Sequence, residues 1–554
     1  MSSAKEPVTR RFGNGLTVLI KEDKSHPVVS LQYWVGTGSM NEGHWQGSGL
    51  SHLLEHLVFK GTAHFSGQEL ARKVQERGGH WNAYTSVNRT VYYIDGPAES
   101  WQIFLNLLTE LVFFPTFPED EMEREKEVVR REMAMYADDP DSVAYQLLMQ
   151  TLYLKHPRRW PVLGERAAFD CLTRQDVLDY HASRYVPNNV VLSIAGDVDA
   201  AEILSHLELL VEDLKSRPLN REPIPHEPHQ FGSRRVRKEF AVPYSKLHLA
   251  WRLPCSAHPD TPALSALSSI LGGGRSARFY EKFHDRLGLV YSIEVHSNQS
   301  ETDEGAFTIS MDVDRAQRDK VRDLVLQELR NLAEEDFTED LKRVCKQTRV
   351  SRLRRRSSAS GVASEMGADW FGSRNLNLSS EWQEAIERVT TEDLHRVCST
   401  WLSSPNVTEV SLDPPGSNAG DEERASASAG TALSEHVLGN GMKVVIREDH
   451  RLPLAYACMA FKAGCRAENE HDAGVTDLMS ECLLKGTSTR SAADIARFLE
   501  DIGGAINTST GNNSLSVGCQ VLAEDLDAGL ELMADVVMNP SFPEDAFVRE
   551  KESF

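Results

Sequence analysis

No apolar run in this 554-residue sequence reaches the roughly 18 residues that would cross a membrane, so no transmembrane helix is expected. The N-terminus, MSSAKEPVTRRFGNG, lacks the apolar segment of a secretory signal, which points to a cytoplasmic protein. The eight cysteines are scattered and include no C-x-x-C pair. That argues against a disulfide framework or a structural zinc knuckle, and for buried thiols in a reducing compartment. Positive charge is also short: 60 Lys and Arg face 82 Asp and Glu, a formal net charge of -22. Nucleic acid is therefore not an expected partner. The acidic surplus would suit basic peptides, although plain solubility accounts for it more simply. A basic stretch, RVSRLRRR at 349–356, reads as the solvated face of a helix.

What the sequence does have is a repeat. FGNGLTVLIKED at 12–23 returns as LGNGMKVVIRED at 438–449, and KGT at 60–62 returns at 485–487. GGHWNAYTS at 78–86 returns as GGAINTSTG at 503–511, while FPED (117–120) and REKE (124–127) return at 542–545 and 549–552. One module of about 425 residues is duplicated, and the second copy stops partway. Two stretches read as linkers: SRPLNREPIPHEPHQFGS at 216–233, with four prolines, and the Gly-, Ser- and charge-rich 414–432. The expected organisation is a catalytic domain at 1–215, a second domain at 234–413, and a partial, degenerate repeat of the first at 433–554. The natural protein is expected to continue and complete that last module.

LTVLIKED, VVSLQYWVGTG, NRTVYYIDGP and NNVVLSIAGDV have strand patterns. SGLSHLLEHLVFKG, FSGQELARKVQERGG and WQIFLNLLTELVFFP have helical spacing. Strands and helices interleave without regular βαβ units. The expected fold class is α+β: repeated two-layer domains with a mainly antiparallel sheet and helices on one face.

The segment with chemical content is GLSHLLEHLVFKGT, 49–62. On a helix His52 and His56 lie one turn apart on the same side, and Glu55 flanks that face. Two imidazoles so placed can grip a zinc ion, and the carboxylate can take a proton from an attacking water. With 19 histidines in the chain, H-x-x-E-H is expected by chance only about 0.05 times. A second helix, FPEDEMEREKEVVRREMAMYADDP (117–140), opens at Pro118 with acids in its first turn. Glu125, Val128, Val129 and Glu132 form one stripe, and the valines are expected to turn it inward. Buried carboxylates need a partner, and a metal held by the histidines would be one.

The inverted H-x-x-E-H order marks this chain as resembling the pitrilysin/insulinase family of zinc peptidases, in the branch of the mitochondrial processing peptidase and its bacterial relatives. The resemblance implies that Glu132, 76 residues after His56, completes the zinc ligand set. It also implies that Glu125, seven residues earlier, is needed for activity without binding metal. Asn82 and Ala83, in NAYTS, resemble the edge strand that pairs with extended substrate. LGGGRSARFYEKFHDRLGLVYS (271–292) resembles the Gly-rich segment of the second domain, where Tyr291 is a candidate substrate contact. The family's arginine seven residues before that tyrosine is here His284, with Arg286 two residues on. In the second copy His52, Glu55 and His56 are replaced by Asp477, Ser480 and Glu481, so it cannot build this site. The expected function is a zinc-dependent endopeptidase with one zinc in the first module, acting on extended peptides or unfolded segments. A C-terminal module or second subunit would close a chamber around them. The rival from another class is a catalytically silent scaffold subunit of the same family.

Overall fold

The structure is a computed structural model that describes residues 6–219, 223–299, 304–402, 406–415, 434–446 and 454–553, except 465, 467, 470, 471, 503 and 512. Most of the 414–432 stretch lies outside the described residues. The chain divides into two compact units, Met1–Ala419 and Gly420–Phe554. No described helix is long and apolar enough to cross a membrane, and the described cysteines are all free.

The first unit holds two sheets. One contains β1 (Val8–Arg11), β2 (Thr17–Glu22), β3 (Val28–Val35), β4 (His80–Thr85), β5 (Thr90–Pro97) and β6 (Val190–Gly196) in the order β1-β2-β6-β3-β5-β4. Only β2–β6 is parallel, so the sheet is mainly antiparallel. Between β1 and β2 the turn uses Gly15 at φ 92°, with the Asn14 side chain accepting from the Leu16 amide at 3.1 Å. On one face lie α1 (Leu50–Val58), α2 (Gly67–Gln75), α3 (Trp101–Phe113) and α4 (Glu119–Asp138). Strand alternation separates the two faces. Val18, Ile20, Leu31, Tyr33, Tyr92, Ile94, Leu192 and Ile194 meet the helices, while Leu19, Trp34, Val91, Val191 and Ala195 point the other way.

That other face is not left bare. It is covered by the helix Ala359–Ser373, from the far end of the unit, through Ala363 and Met366. The second sheet comprises β7 (Arg234–Glu239), β8 (Ser245–Leu253), β9 (Val290–Asn298), β10 (Gly305–Val313) and β11 (Thr408–Asp413), in the order β7-β11-β8-β10-β9. It receives α5 (Pro140–Leu152) from the first half: Leu148, Met149, Leu152 and Tyr153 pack with Ala250, Ala306 and Val410. Each half thus lends one helix to the other's sheet. The Pro-rich connection is also pinned, because Glu227 is buried and accepts the amides of Leu154, Lys155 and His156 at 2.7–3.0 Å.

The inward stripe of α4 differs from the one expected. Met122, Glu125, Lys126 and Val129 are buried, but Val128 is 43% exposed. Lys126 takes the expected inward place of Val128, because its ammonium caps the carbonyls of Asp170 and Leu172 at 3.2 and 2.8 Å. A lysine with two such acceptors can be buried where an unpaired one cannot.

In the second unit, strands Leu454–Lys462, Ser514–Leu522 and Ala505–Thr510 form a sheet beside helices Val475–Leu483, Ala492–Asp501, Leu526–Met538 and Glu544–Ser553. Details of the first unit recur. The bridges Gly61–Ser66 and Thr62–Pro115 return as Gly486–Ser491 and Thr487–Pro540. Phe117 and Phe542 share the left-handed backbone, at φ 49° and 43°.

The lent helix offers a stability test. A Cβ on Gly367 would lie 2.3 Å from the buried Trp34 ring. Gly367→Ala should destabilise the protein by about 1–3 kcal/mol, through overpacking that outweighs the gain in helix propensity. Urea unfolding followed by tryptophan fluorescence would read it, and an unchanged midpoint would mean that this helix is not seated on Trp34.

Candidate metal centre

α1 starts where Gly49 adopts φ 73°; a side-chain carbon there would sit 2.0 Å from the Leu163 carbonyl oxygen. The loop 161–165 is thereby seated on the start of the helix, and the Glu165 amide donates to the Gly47 carbonyl at 2.8 Å. The first turn is anchored from beneath. Glu42, fully buried, accepts the Ser51 amide at 2.8 Å, one of the donors a helix start leaves unsatisfied. The Ser51 hydroxyl contacts that of Tyr180 at 2.8 Å, which in turn meets Thr37 at 2.6 Å. Leu53, Leu54, Leu57 and Val58 are all fully buried, so His52, Glu55 and His56 share the remaining face.

α4 crosses that face. Glu125 accepts from Lys60 at 2.6 Å and from His56 Nδ1 at 3.1 Å. That contact leaves His56 Nε2 free to point elsewhere, and it points at Glu132. Glu132 Oε2 lies 3.8 Å from both His52 Nε2 and His56 Nε2, too far for a hydrogen bond. The three ligand atoms all lie within 4.8 Å of one another, the one such group found among the described residues. Two imidazole nitrogens and one carboxylate oxygen, converging without bonding to each other, fit a zinc ion and leave a fourth position open. His52 Nδ1 is buried without a hydrogen-bond partner, so packing sets that ring's orientation.

The electrostatics agree with ligation. Burial, aided by His56 nearby, lowers the His52 pKa to about 3, so the ring is neutral as a ligand must be. Burial also raises the Glu55 pKa, against the opposing hydrogen bond from Thr85. Glu125 is held below the usual carboxylate range: burial works against its charge, but His56 and Lys60 outweigh it.

Glu55 Oε2 accepts from the Thr85 hydroxyl at 2.5 Å. Thr85 ends β4, the outermost strand of its sheet, which among the described residues pairs only with β5. Asn82 and Ala83 lie on this edge strand, with Asn82 exposed and its side chain accepting from the Ala83 amide at 2.8 Å. His52, Thr85 and Glu132 line one cavity of about 660 Å³, together with Met133, Tyr136 and Lys238. His284 and Tyr291 do not line it. His284 stacks on Tyr280 and contacts Asp285 at 2.7 Å; Tyr291 is 60% exposed on β9, at the far edge of the second sheet. Arg286 is paired with Glu281.

Sequence reasoning missed Lys60, Thr85 and Glu42. A signal existed for the first two: they fall in segments that recur, as Lys485 in KGT and Thr510 in the GG segment. The second unit keeps the lysine's contact although both histidines are gone, while its threonine turns to Asp477, the counterpart of His52. Lys485 pairs with Glu550 at 2.7 Å, and Thr510 donates to Asp477. Glu468 accepts the amides of Gly474 and Thr476 at 2.7 and 2.8 Å, as Glu42 does for Ser51.

Comparisons with known proteins identify the family. The Insulinase (Peptidase family M16) profile matches residues 17–166 and again 443–554, and the Peptidase M16 inactive domain matches 172–347. The chain belongs to the insulinase family of peptidases, M16. It is 27% identical over 406 residues to an uncharacterized zinc protease of Rickettsia felis, covering 71% of this chain and 94% of the relative. An uncharacterized zinc protease of Mycobacterium bovis is 30% identical over 299 residues, covering 53% of this chain and 67% of the relative. A protease from Helicobacter pylori superposes with a TM-score of 0.68 at 26% identity, covering 74% of this chain and all of that one. An M16 inactive domain from Pseudomonas fluorescens reaches the same TM-score at 21% identity, covering 74% and 98%.

Glu42 carries a pH prediction. Burial pushes its carboxyl up from 4.5 to about 8, against the Ser51 amide. The folded state therefore keeps a proton that the unfolded chain gives up. The group's contribution is fully present below about pH 4.5 and lost as pH rises toward about 8. Wild type should lose stability relative to Glu42→Gln across that window in urea unfolding, whereas a pH-independent difference would contradict the assignment.

Proposed function

We propose that the chain is a zinc-dependent endopeptidase in which His52, His56 and Glu132 hold the metal and Glu55 is the general base. The observation that supports this most is the convergence of those three ligand atoms within 4.8 Å, beside a carboxylate that Thr85 holds at 2.5 Å. Zinc, when bound, supplies Lewis acidity that polarises the scissile carbonyl. Glu55 takes a proton from the water that attacks that carbonyl and returns it to the amine nitrogen as the C–N bond breaks. Its burial favours the protonated form and so the second half of that exchange. Glu125 orients His56 and keeps the ring in the tautomer with Nε2 free. Extended peptide is read as adding a strand to the β4 edge at Asn82 and Ala83. Any contact from His284 or Tyr291 would be with substrate beyond the cavity.

The second unit supports the same reading from the opposite side. Where Asp477, Ser480 and Glu481 replace the reactive residues, the Lys485–Glu550 pair remains. A copy free of catalytic constraint has lost the chemistry and kept the packing, whereas the first copy has kept both.

His52→Ala or His56→Ala should abolish stoichiometric zinc, since two remaining ligands hold it poorly. Glu55→Gln should retain zinc and lose turnover of a quenched peptide by about a hundredfold or more. Metal analysis paired with peptide cleavage measures both, and wild-type turnover by Glu55→Gln would overturn the assignment of the base.

A further inference from the structure

The cavity that holds the metal residues is not built by the first half alone. Its wall includes Lys238, from β7 of the second sheet. β7 reads RRVRKE, and three of its four cations have acidic partners. Arg234 lies 3.9 Å from Glu227, Arg235 2.9 Å from Glu409, and Arg237 2.6 Å from Asp319. The Lys238 side chain alone has no ion pair or hydrogen bond among the described residues. It is exposed and lines the cavity shared with His52, Thr85 and Glu132.

The acids of the same cavity are otherwise engaged: Glu132 lies between the two histidines, and Glu165 accepts from Gln150 at 3.2 Å. The rest of the wall is largely uncharged, with Met133, Tyr136, Val143, Tyr145, Leu147 and Val162. A cation facing a partly apolar cavity attracts a counter-ion more strongly than one in open water. Among the described residues β7 is an edge strand, bonded only to β11, so substrate backbone can approach it.

We propose that Lys238 forms a carboxylate subsite of the peptide-binding cavity, selecting substrates with an acidic group within reach of the metal centre. This rests on the peptidase reading above and adds a substrate class to it. The carboxylate has two possible sources, an Asp or Glu side chain and the free C-terminus of the peptide. Both present the same planar anion to the ammonium.

The test compares three matched peptides on the full-length, zinc-loaded protein. One carries an internal Asp with an amidated C-terminus, one has no acidic side chain but a free C-terminus, and one has neither. Binding is read by fluorescence anisotropy in the Glu55→Gln background, and cleavage in the Glu55 protein. A carboxylate peptide should bind about three- to tenfold more tightly than the peptide with neither group, a partly shielded ion pair. Lys238→Ala should erase that preference, Lys238→Arg should keep it, and Lys238→Glu should invert it toward a Lys-containing peptide. Whichever carboxylate peptide shows the effect identifies the source. Equal affinities for all three peptides, or a preference that survives Lys238→Ala, would overturn the proposal. Because binding is measured apart from turnover, peptides that bind with this preference but are never cut would sink only the peptidase reading.

Discussion

Glu125 ties together two helices that are 69 residues apart at their point of contact, by accepting from His56 at 3.1 Å and from Lys60 at 2.6 Å. Burial works against the charge on this carboxylate, and the contacts with His56 and Lys60 outweigh it. The charged carboxylate in turn directs His56 so that Nε2 faces Glu132. Without this bridge α1 and α4 would still bury their apolar faces, but nothing polar would set their rotation to bring the three ligand atoms together. Glu42 does comparable work at the other end of α1, and Thr85 does it for Glu55.

The second unit separates scaffold from chemistry. It retains the lysine–glutamate bridge, a glutamate that accepts the amides at the helix start and the threonine at the strand end, yet lacks both histidines and the counterpart of Glu55. The lysine–glutamate bridge and the glutamate at the helix start are therefore requirements of the fold, and the two histidines and Glu55 accompany them in one copy only. This also explains why Glu125 has two aspects: its bridge to Lys60 is structural, and its contact with His56 has meaning only where a histidine is present.

Much of the site was legible in the sequence because its signals are local. H-x-x-E-H places its residues on one helix face whatever surrounds it, and the helix after Pro118 announces itself by that proline and its first-turn acids. The inward stripe of α4 was misjudged at Val128, because apolar character suggested burial while Lys126 had two carbonyls waiting. The exchange of α5 and Ala359–Ser373 between the two sheets left no local trace, since it depends on which faces meet from distant parts of the sequence. The same holds for Lys238: a cation in RRVRKE looks like any solvated charge until the fold brings β7 to the cavity. The expectation for His284 and Tyr291 came from resemblance alone, and neither lines the metal cavity.

The central claim is that two imidazoles and one carboxylate of the first unit bind zinc. Zinc-edge X-ray absorption on the full chain tests it directly. The account predicts one zinc per chain, with only nitrogen and oxygen neighbours at about 2.0–2.2 Å and the multiple-scattering signature of two imidazoles. Sulfur neighbours at about 2.3 Å, or no stoichiometric zinc in protein saturated with the ion, would contradict it.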